Sequence, residues 1–259
     1  MGFFWDLELG VWDFFIMHRF YIPPNEWNPH TLRLSETEVH HARNVLRLES
    51  GSRVVVFNGR GREITAEIHS LGAREVTLRK LHESATPPLR CRITLGQAIP
   101  KGKNMDLIVQ KAVEIGAAEI VPIISDRTIV RLDESDAAQK QTKWQTIAIE
   151  AAKQCGQNWL PEVQTPRTLA QFFAKPPHFD LQLIGSLQSD ALHLKKILAD
   201  HPDLPKSVLM LIGPEGDFTP AELNLARAKG CQPITLGPII LRVETAAIYC
   251  LSVLSYELL

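Results

Sequence analysis

The chain has 259 residues, 45% hydrophobic and 22% charged, which is enough apolar material for a packed core and excludes a disordered polypeptide. Cys91, Cys155, Cys231 and Cys250 show no CxxC or Cys/His spacing, no apolar run reaches a membrane span, and Asp6, Glu8 and Asp13 stand where a secretory leader is basic; this excludes zinc ribbon, disulfide scaffold and secreted classes and reads as cytoplasmic. The net charge of −1 hides a split: residues 18–103 hold 14 Lys+Arg against 8 Asp+Glu, residues 104–259 hold 14 against 18, so any polyanion face belongs to the first part.

In chain order, an aromatic and acidic leader gives way to HRFYIPP, so residues 1–17 are set apart as an N-terminal extension with Met17 as an alternative start. Glu36 to Leu48 carries Val39, Ala42, Val45, Leu46 and Leu48 at mostly helical spacing. Ser35 and Glu38 have the form of a capping box, which predicts one short amphipathic helix. SRVVVFNGRGREITAEIHSL alternates about NGRG, predicting a hairpin with Val54, Val56, Ile64, Ala66 and Ile68 on one face and a third strand at EVTLRKL. Short strands with one helix predict a small barrel. HESATPPLR has the chemistry of a linker, which divides the chain into residues 18–86 and 90–259.

Beyond the linker, short apolar strands alternate with helices. The strands are CRITLGQAI, EIVPII, FDLQLIGS, SVLMLIGPEG and QPITLGP; the helices are MDLIVQKAVEIGA, TKWQTIAIEAAKQCG, ALHLKKILADH, TPAELNLARAKG and a last one from about Glu244. That rhythm predicts an α/β domain with a parallel sheet covered on both faces, which takes its ligand at glycine-bearing turns beyond the strand ends. No GxGxxG, GxxxxGK[ST] or GxSxG appears. Two related turns stand in their place, LIGPEGDFTPAE and LGPIILRVETA, each Gly-Pro with an acid close behind, Glu215 or Glu244. Glycines there let backbone groups approach a flat ligand, and Thr219 with Glu222 has the form of a cap for the helix that follows.

These two strings, together with HRFYIP, GQAIPKGKNMDLIVQKAVEIG, EIVPIISDRTIV and EAAKQCGQNWLPEV, closely resemble the small-subunit ribosomal RNA uridine-N3 methyltransferases (RsmE) of the SPOUT superfamily, from about His18 to the C-terminus. The resemblance implies an N-terminal PUA-like β-barrel that binds RNA, followed by a SPOUT α/β domain with a C-terminal deep trefoil knot. It implies S-adenosyl-L-methionine as cofactor, S-adenosyl-L-homocysteine as product, a homodimer, and 16S ribosomal RNA or the assembled small subunit as partner. The cofactor would be held, bent, by Leu211, Ile212, Gly213 and Gly216 of one loop and Leu236, Gly237, Ile239 and Leu241 of the other, with Ile184, Gly185 and Ser186 as a third wall. The family commonly shows QCGR, GPEGG and LGPRILRTETA where this chain has Gln157, Asp217, Ile239 and Val243. Gln157 puts a neutral amide where a guanidinium is usual, so Arg242 takes the place of the catalytic arginine.

Uridine N3 is a poor nucleophile until its proton leaves, so transfer needs a base or stabilisation of the uracil anion. Glu215, Glu244 and Arg242 are the candidate catalytic residues, set against plainer roles: Glu215 bonding loop amides, Glu244 capping the last helix, Arg242 pairing with either acid. Candidate RNA contacts are Arg19, Arg43, Arg47, Arg60 and Arg62, then Lys101, Lys103 and Lys111 near the junction, and Gln154, the first residue of QCGQN. His40 and His41 have no partner at coordinating spacing, so no metal is expected. Trp159 reads as packing with a base-stacking alternative. Three rival readings remain: a degenerate RNA-binding protein, motivated by Gln157 and Asp217, an enzyme acting on a ribose 2′-hydroxyl, and an α/β enzyme acting on a small metabolite.

Overall fold

A computed structural model describes residues 17–128, 132–175, 177–201 and 203–259; apart from Met17, the expected N-terminal extension lies outside them. The first part of the chain forms β1 (Arg19–Tyr21), β2 (Arg33–Leu34), α1 (Glu36–His40), β3 (Arg53–Phe57), β4 (Arg62–Leu71) and β5 (Val76–Ala85). Its sheet runs β1-β3-β4-β5-β2, and hydrogen bonding leaves β1 and β2 as its two ends rather than closing them into a ring. The expected face is real. Val54, Val56, Ile64, Ala66 and Ile68 are completely buried and pack with Phe20, Leu34 and Val76. The NGRG turn is held by Asn58, whose Oδ1 accepts from the backbone N–H of Arg60 at 2.8 Å and of Arg62 at 3.1 Å. HESA, expected in the linker, is the end of β5, paired with β4 as far as Ala85 opposite Arg62.

The helix expected over Glu36 to Leu48 breaks after His40 into a single π-helical turn, His41–Val45. The wider turn shifts the spacing, so Val45, expected on the apolar face, is 62% exposed. The expected capping box is also absent: Ser35 makes no side-chain cap. Glu38 is turned inward instead, where it accepts from Lys153 Nζ at 3.0 Å through Oε1 and at 3.1 Å through Oε2. A buried carboxylate facing an ammonium gains more than one returning to its own helix terminus.

The second part forms β6 (Arg92–Ala98), α2 (Asn104–Ile115), β7 (Glu119–Ile124), α3 (Glu134–Cys155), β8 (Glu162–Val163), β9 (Arg167–Thr168), α4 (Leu169–Ala174), β10 (Leu181–Gly185), β11 (Leu192–His193), α5 (Leu194–Asp200), β12 (Ser207–Ile212), α6 (Pro220–Ala228), β13 (Gln232–Thr235) and α7 (Val243–Leu258). The sheet order is β11-β13-β10-β12-β6-β7-β8, with β9 also on β7, and every pair in it is parallel. Its apolar strands are covered on both sides: Leu95, Met210 and Leu183 face a core with α2, α3 and α7, while Leu209, Leu211 and Ile184 face one with α4 and α6. α2 and α3 end on Gly116 and Gly156 in the left-handed region, as their sequences predict. Thr219 and Glu222 form both halves of the capping box at α6. β8, β9 and β11 are two residues each and carry no periodicity for a sequence reading; α4 is only six residues, and its one sequence signal is the capping box of Thr168 and Gln171.

One crossing positions the site. β13 lies beyond β10 from β12, yet α7, the next element, packs back against α2, β6 and β12. The connecting segment, residues 236–242, is therefore drawn across the carboxyl ends of the central strands.

Candidate active site

Three turns meet beyond those strand ends: residues 185–187 after β10, 212–217 after β12 and 235–244 between β13 and α7. They enclose a cavity of about 420 Å³. Of the residues proposed to hold a cofactor, Gly185, Ile212, Gly213, Leu236, Gly237, Ile239 and Leu241 line it. Ile184 and Leu211 do not: both are completely buried in the core behind the wall. Gly216 is off the wall too, its carbonyl accepting from Arg127 Nη1. The alternation of a strand explains this, because residues on the core face of β10 and β12 point away from the ligand side.

The candidate catalytic residues are brought together. Arg242, Glu215 and Glu244 all line the cavity. Glu215 Oε1 accepts from the Lys101 backbone N–H at 2.9 Å, and Glu244 Oε2 accepts from Asn104 Nδ2 at 3.1 Å. The PKGKN loop after β6 is thus tied to both Gly-Pro turns by an acid each. Arg242 is the N-cap residue of α7, makes no side-chain cap, and has no ion pair among the described residues. The alternative that it pairs with Glu215 or Glu244 is not what the structure shows. Lys101 and Lys103, just before Asn104, are named from the sequence, but Asn104 itself is not; its position at the first turn of α2, beyond a strand end, is the signal that marks it.

Two of the four positions that depart from the family pattern, Asp217 and Gln157, land differently. Asp217 has φ +62°, a region that side chains seldom adopt. It is held there by two hydrogen bonds that glycine cannot make: Oδ1 accepts from Phe218 N–H at 2.8 Å and Oδ2 from Leu187 N–H at 3.3 Å, joining two walls of the cavity. Gln157, expected beside the RNA target, sits at the amino end of the strands in a different cleft, where its Oε1 accepts from Trp159 N–H at 3.2 Å. It is not among the residues that line the cavity at the carboxyl ends of the strands.

The candidate RNA contacts also divide. Arg19 is consumed structurally: its guanidinium donates to Glu63 and to Asn158, each at 2.6 Å, and lies 5.0 Å from the Phe57 ring centre. Arg62 pairs with Glu83 at 2.9 Å and Lys111 with Glu114 at 2.7 Å. Arg43 donates to the Gly72 carbonyl at 3.1 Å. Arg47, Arg60, Lys101, Lys103 and Gln154 are exposed. Among the described residues no group of acids, histidines and cysteines is placed to hold a metal, and no helix is long and apolar enough to cross a membrane.

The cavity suits a flat ligand with apolar and polar parts. Its volume is in the range of small-molecule sites, and the walls are aliphatic side chains with bare backbone between them. Gly237 has φ +113° and open space where a Cβ would stand, so main chain alone faces the ligand there. Gly237→Val is therefore expected to strain the loop and fill the cavity, weakening cofactor binding by at least about tenfold, as titration calorimetry would show.

A parallel α/β layer with this cavity, joined to a strand-rich first domain, defines a two-domain RNA methyltransferase of SPOUT-like fold with a PUA-like domain. Family profiles described as an RNA methyltransferase domain and an RNA methyltransferase PUA domain match residues 87–255 and 34–81. The chain is similar to ribosomal RNA small subunit methyltransferase E of Bacillus subtilis (strain 168), 32% identical over 233 residues covering 88% of this chain and 90% of the relative. With the protein of that name from Synechocystis sp. it shares 33% over 240 residues, 90% and 75% of the two chains. Among solved structures, a Legionella pneumophila methyltransferase in complex with S-adenosylmethionine superposes with a TM-score of 0.84 at 37% identity, covering 93% of this chain and 97% of that one. The ribosomal RNA small subunit methyltransferase E of Neisseria gonorrhoeae, bound to S-adenosyl methionine, gives 0.81 at 35%, with the same coverage. The chain belongs to the ribosomal RNA small subunit methyltransferase E family.

Proposed function

We propose that this protein transfers a methyl group from S-adenosylmethionine to N3 of a uridine in 16S ribosomal RNA, acting as a cytoplasmic homodimer. The observation that carries this reading is the convergence of Arg242, Glu215 and Glu244 on the glycine-walled cavity. The bound cofactor supplies an electrophilic methyl group on sulfonium. Gly185, Gly213, Leu236 and Gly237 present backbone to it, and Ile212, Ile239 and Leu241 exclude water. Arg242 stabilises the negative charge that grows on a uracil carbonyl as N3 loses its proton. Glu215 and Glu244 each keep one carboxylate oxygen uncommitted, and the N3 proton goes to one of these. The deep trefoil knot belongs to this proposal: its support is the return of the segment 236–242 across β10 and β12 before α7.

The reading of a degenerate enzyme loses its ground, since Asp217 keeps its turn in the left-handed form and Gln157 lies away from the cavity. Asn104 is the residue that positions Glu244. Asn104→Ala is expected to slow methyl transfer about tenfold or more, the worth of one hydrogen bond to a charged group, with cofactor affinity unchanged by calorimetry. The decisive experiment for the whole reading maps methylated nucleotides in 16S ribosomal RNA from cells with and without this protein. Loss of one N3-methyluridine is expected. Loss of a ribose 2′-O-methyl group, or no change, overturns the assignment.

A further inference from the structure

A second cleft of about 420 Å³ opens at the opposite, amino end of the parallel strands, between the two domains. The first domain contributes Tyr21 and the Asn58–Arg60 turn, and the second contributes Arg92, Gln157 and Trp159. Along β6 this is about 20 Å from the cofactor cavity. We propose that the cleft is a binding site for an unpaired nucleotide of the RNA, an inference that rests on the proposed RNA-methylating function.

Its two aromatic side chains are fixed in place. Trp159 Nε1 donates to the Thr86 carbonyl at 2.9 Å, and the indole lies 2.7 Å from where a Cβ on Gly61 would be, so only glycine, here at φ +80°, allows that approach. The Tyr21 ring packs on Phe57 with centres 5.5 Å apart. Its hydroxyl has no hydrogen-bond partner among the described residues, and a phenol is protonated at neutral pH, so it is free to donate; burial raises its pKa further above the ordinary value. Rings held this way lose little entropy when a base stacks on them.

The charges and amides suit a nucleotide. Arg60 and Arg92 are exposed guanidiniums with no carboxylate partner among the described residues, placed to take phosphate. Two acids also line the cleft, Glu119 and Glu162. Glu119 is occupied, accepting from Gln164 Nε2 at 2.9 Å and from Thr94 Oγ1 at 3.3 Å, which leaves Glu162 as an acceptor. Gln157 spends its Oε1 on Trp159 N–H and keeps its Nε2 donors. The neutral amide at this position therefore has a use: it offers a donor to a base edge where a guanidinium offers charge.

Direct hydrogen bonds hold the joint that forms the cleft. Arg19 donates to Asn158 at 2.6 Å, Asn158 donates to Thr86 Oγ1 at 2.9 Å, and Leu160 N–H donates to the Gly59 carbonyl at 3.0 Å. The site is thus preformed by the docking of the two domains.

The test uses the whole protein and a fluorescein-labelled single-stranded RNA ten-mer of mixed sequence carrying 4-thiouridine. By anisotropy, Trp159→Ala is expected to weaken binding about 5- to 100-fold, the loss of one stacked base. Because Trp159 packs against Gly61, Arg60→Ala and Arg92→Ala provide variants at exposed sites. Each should lower the slope of log affinity on log salt by about 0.7. Crosslinks should fall on Tyr21 or the 157–162 segment. Unchanged affinity and slope in both arginine variants, or crosslinks confined to the Arg43 and Arg47 face, overturn the inference while leaving the proposed function standing. Wild-type protein that binds S-adenosylmethionine but not this ten-mer overturns the inference alone; the proposed function falls only with the methylation map.

Discussion

Arg242→Ala is expected to reduce methyl transfer to small-subunit ribosomal RNA by about 10²- to 10³-fold, the usual cost of removing one donor from a developing oxyanion. The position of Arg242 makes the result interpretable. It is the N-cap residue of α7, yet its side chain makes no capping bond and, among the described residues, no ion pair, so its removal takes no such contact from the helix. The melting temperature should stay within about 2 °C, and S-adenosylmethionine should bind with unchanged affinity. A loss confined to the turnover number, with little change in KM, identifies an interaction made only in the transition state. Arg242→Lys separates charge from geometry: an ammonium keeps the charge but not the planar pair of donors, so recovery should be partial. Turnover at the wild-type rate in the alanine variant would remove Arg242 from the mechanism and leave the two carboxylates to carry it.

How much of this was legible beforehand follows the physics of each signal. The five apolar positions of the first hairpin stand two apart on one face, and all five are completely buried; Val55 and Phe57, on the other face of β3, are buried as well, so burial of that face does not depend on a polar opposite side. The parallel sheet was legible from its continuous apolar strands, and the cap at Thr219 from its spacing. Ser35 and Glu38 had the same spacing and failed, since Lys153, 115 residues away, competes for the carboxylate; no local pattern carries that information. The site divides in the same way. The Gly-Pro turns are plain in the sequence, whereas the alternation that turns the side chains of Ile184 and Leu211 into the core, off the cavity wall, depends on where each strand ends. Asn104 depends on the register between two elements 140 residues apart, and Gln157 on how the domains dock, so both became readable only in three dimensions.

That docking leads to a second large effect, at the pair that misled the capping argument. Lys153 on α3 and Glu38 on α1 join the domains, and their side chains are only 7% and 10% exposed. Lys153 also reaches Glu150 at 3.0 Å, but Glu150 is 56% exposed and returns to water when its partner is lost. Glu38 cannot do so. Its remaining contact is a weak one, the backbone N–H of Tyr21 at 3.4 Å, and Val39 and Ala42 beside it are buried. Lys153→Met therefore leaves a carboxylate buried without a counter-charge, at a cost of about 3–5 kcal/mol. In a chain of this size that lowers the melting temperature by roughly 6–20 °C. Removing both charges tests the cause. The Lys153→Met, Glu38→Gln double variant has no unpaired charge to bury, so most of the loss should return despite its carrying one more substitution. A double variant no more stable than Lys153→Met would place the loss in the packing of the lysine stem over Phe20, where Nζ lies 5.9 Å from the ring centre, and not in the stranded carboxylate.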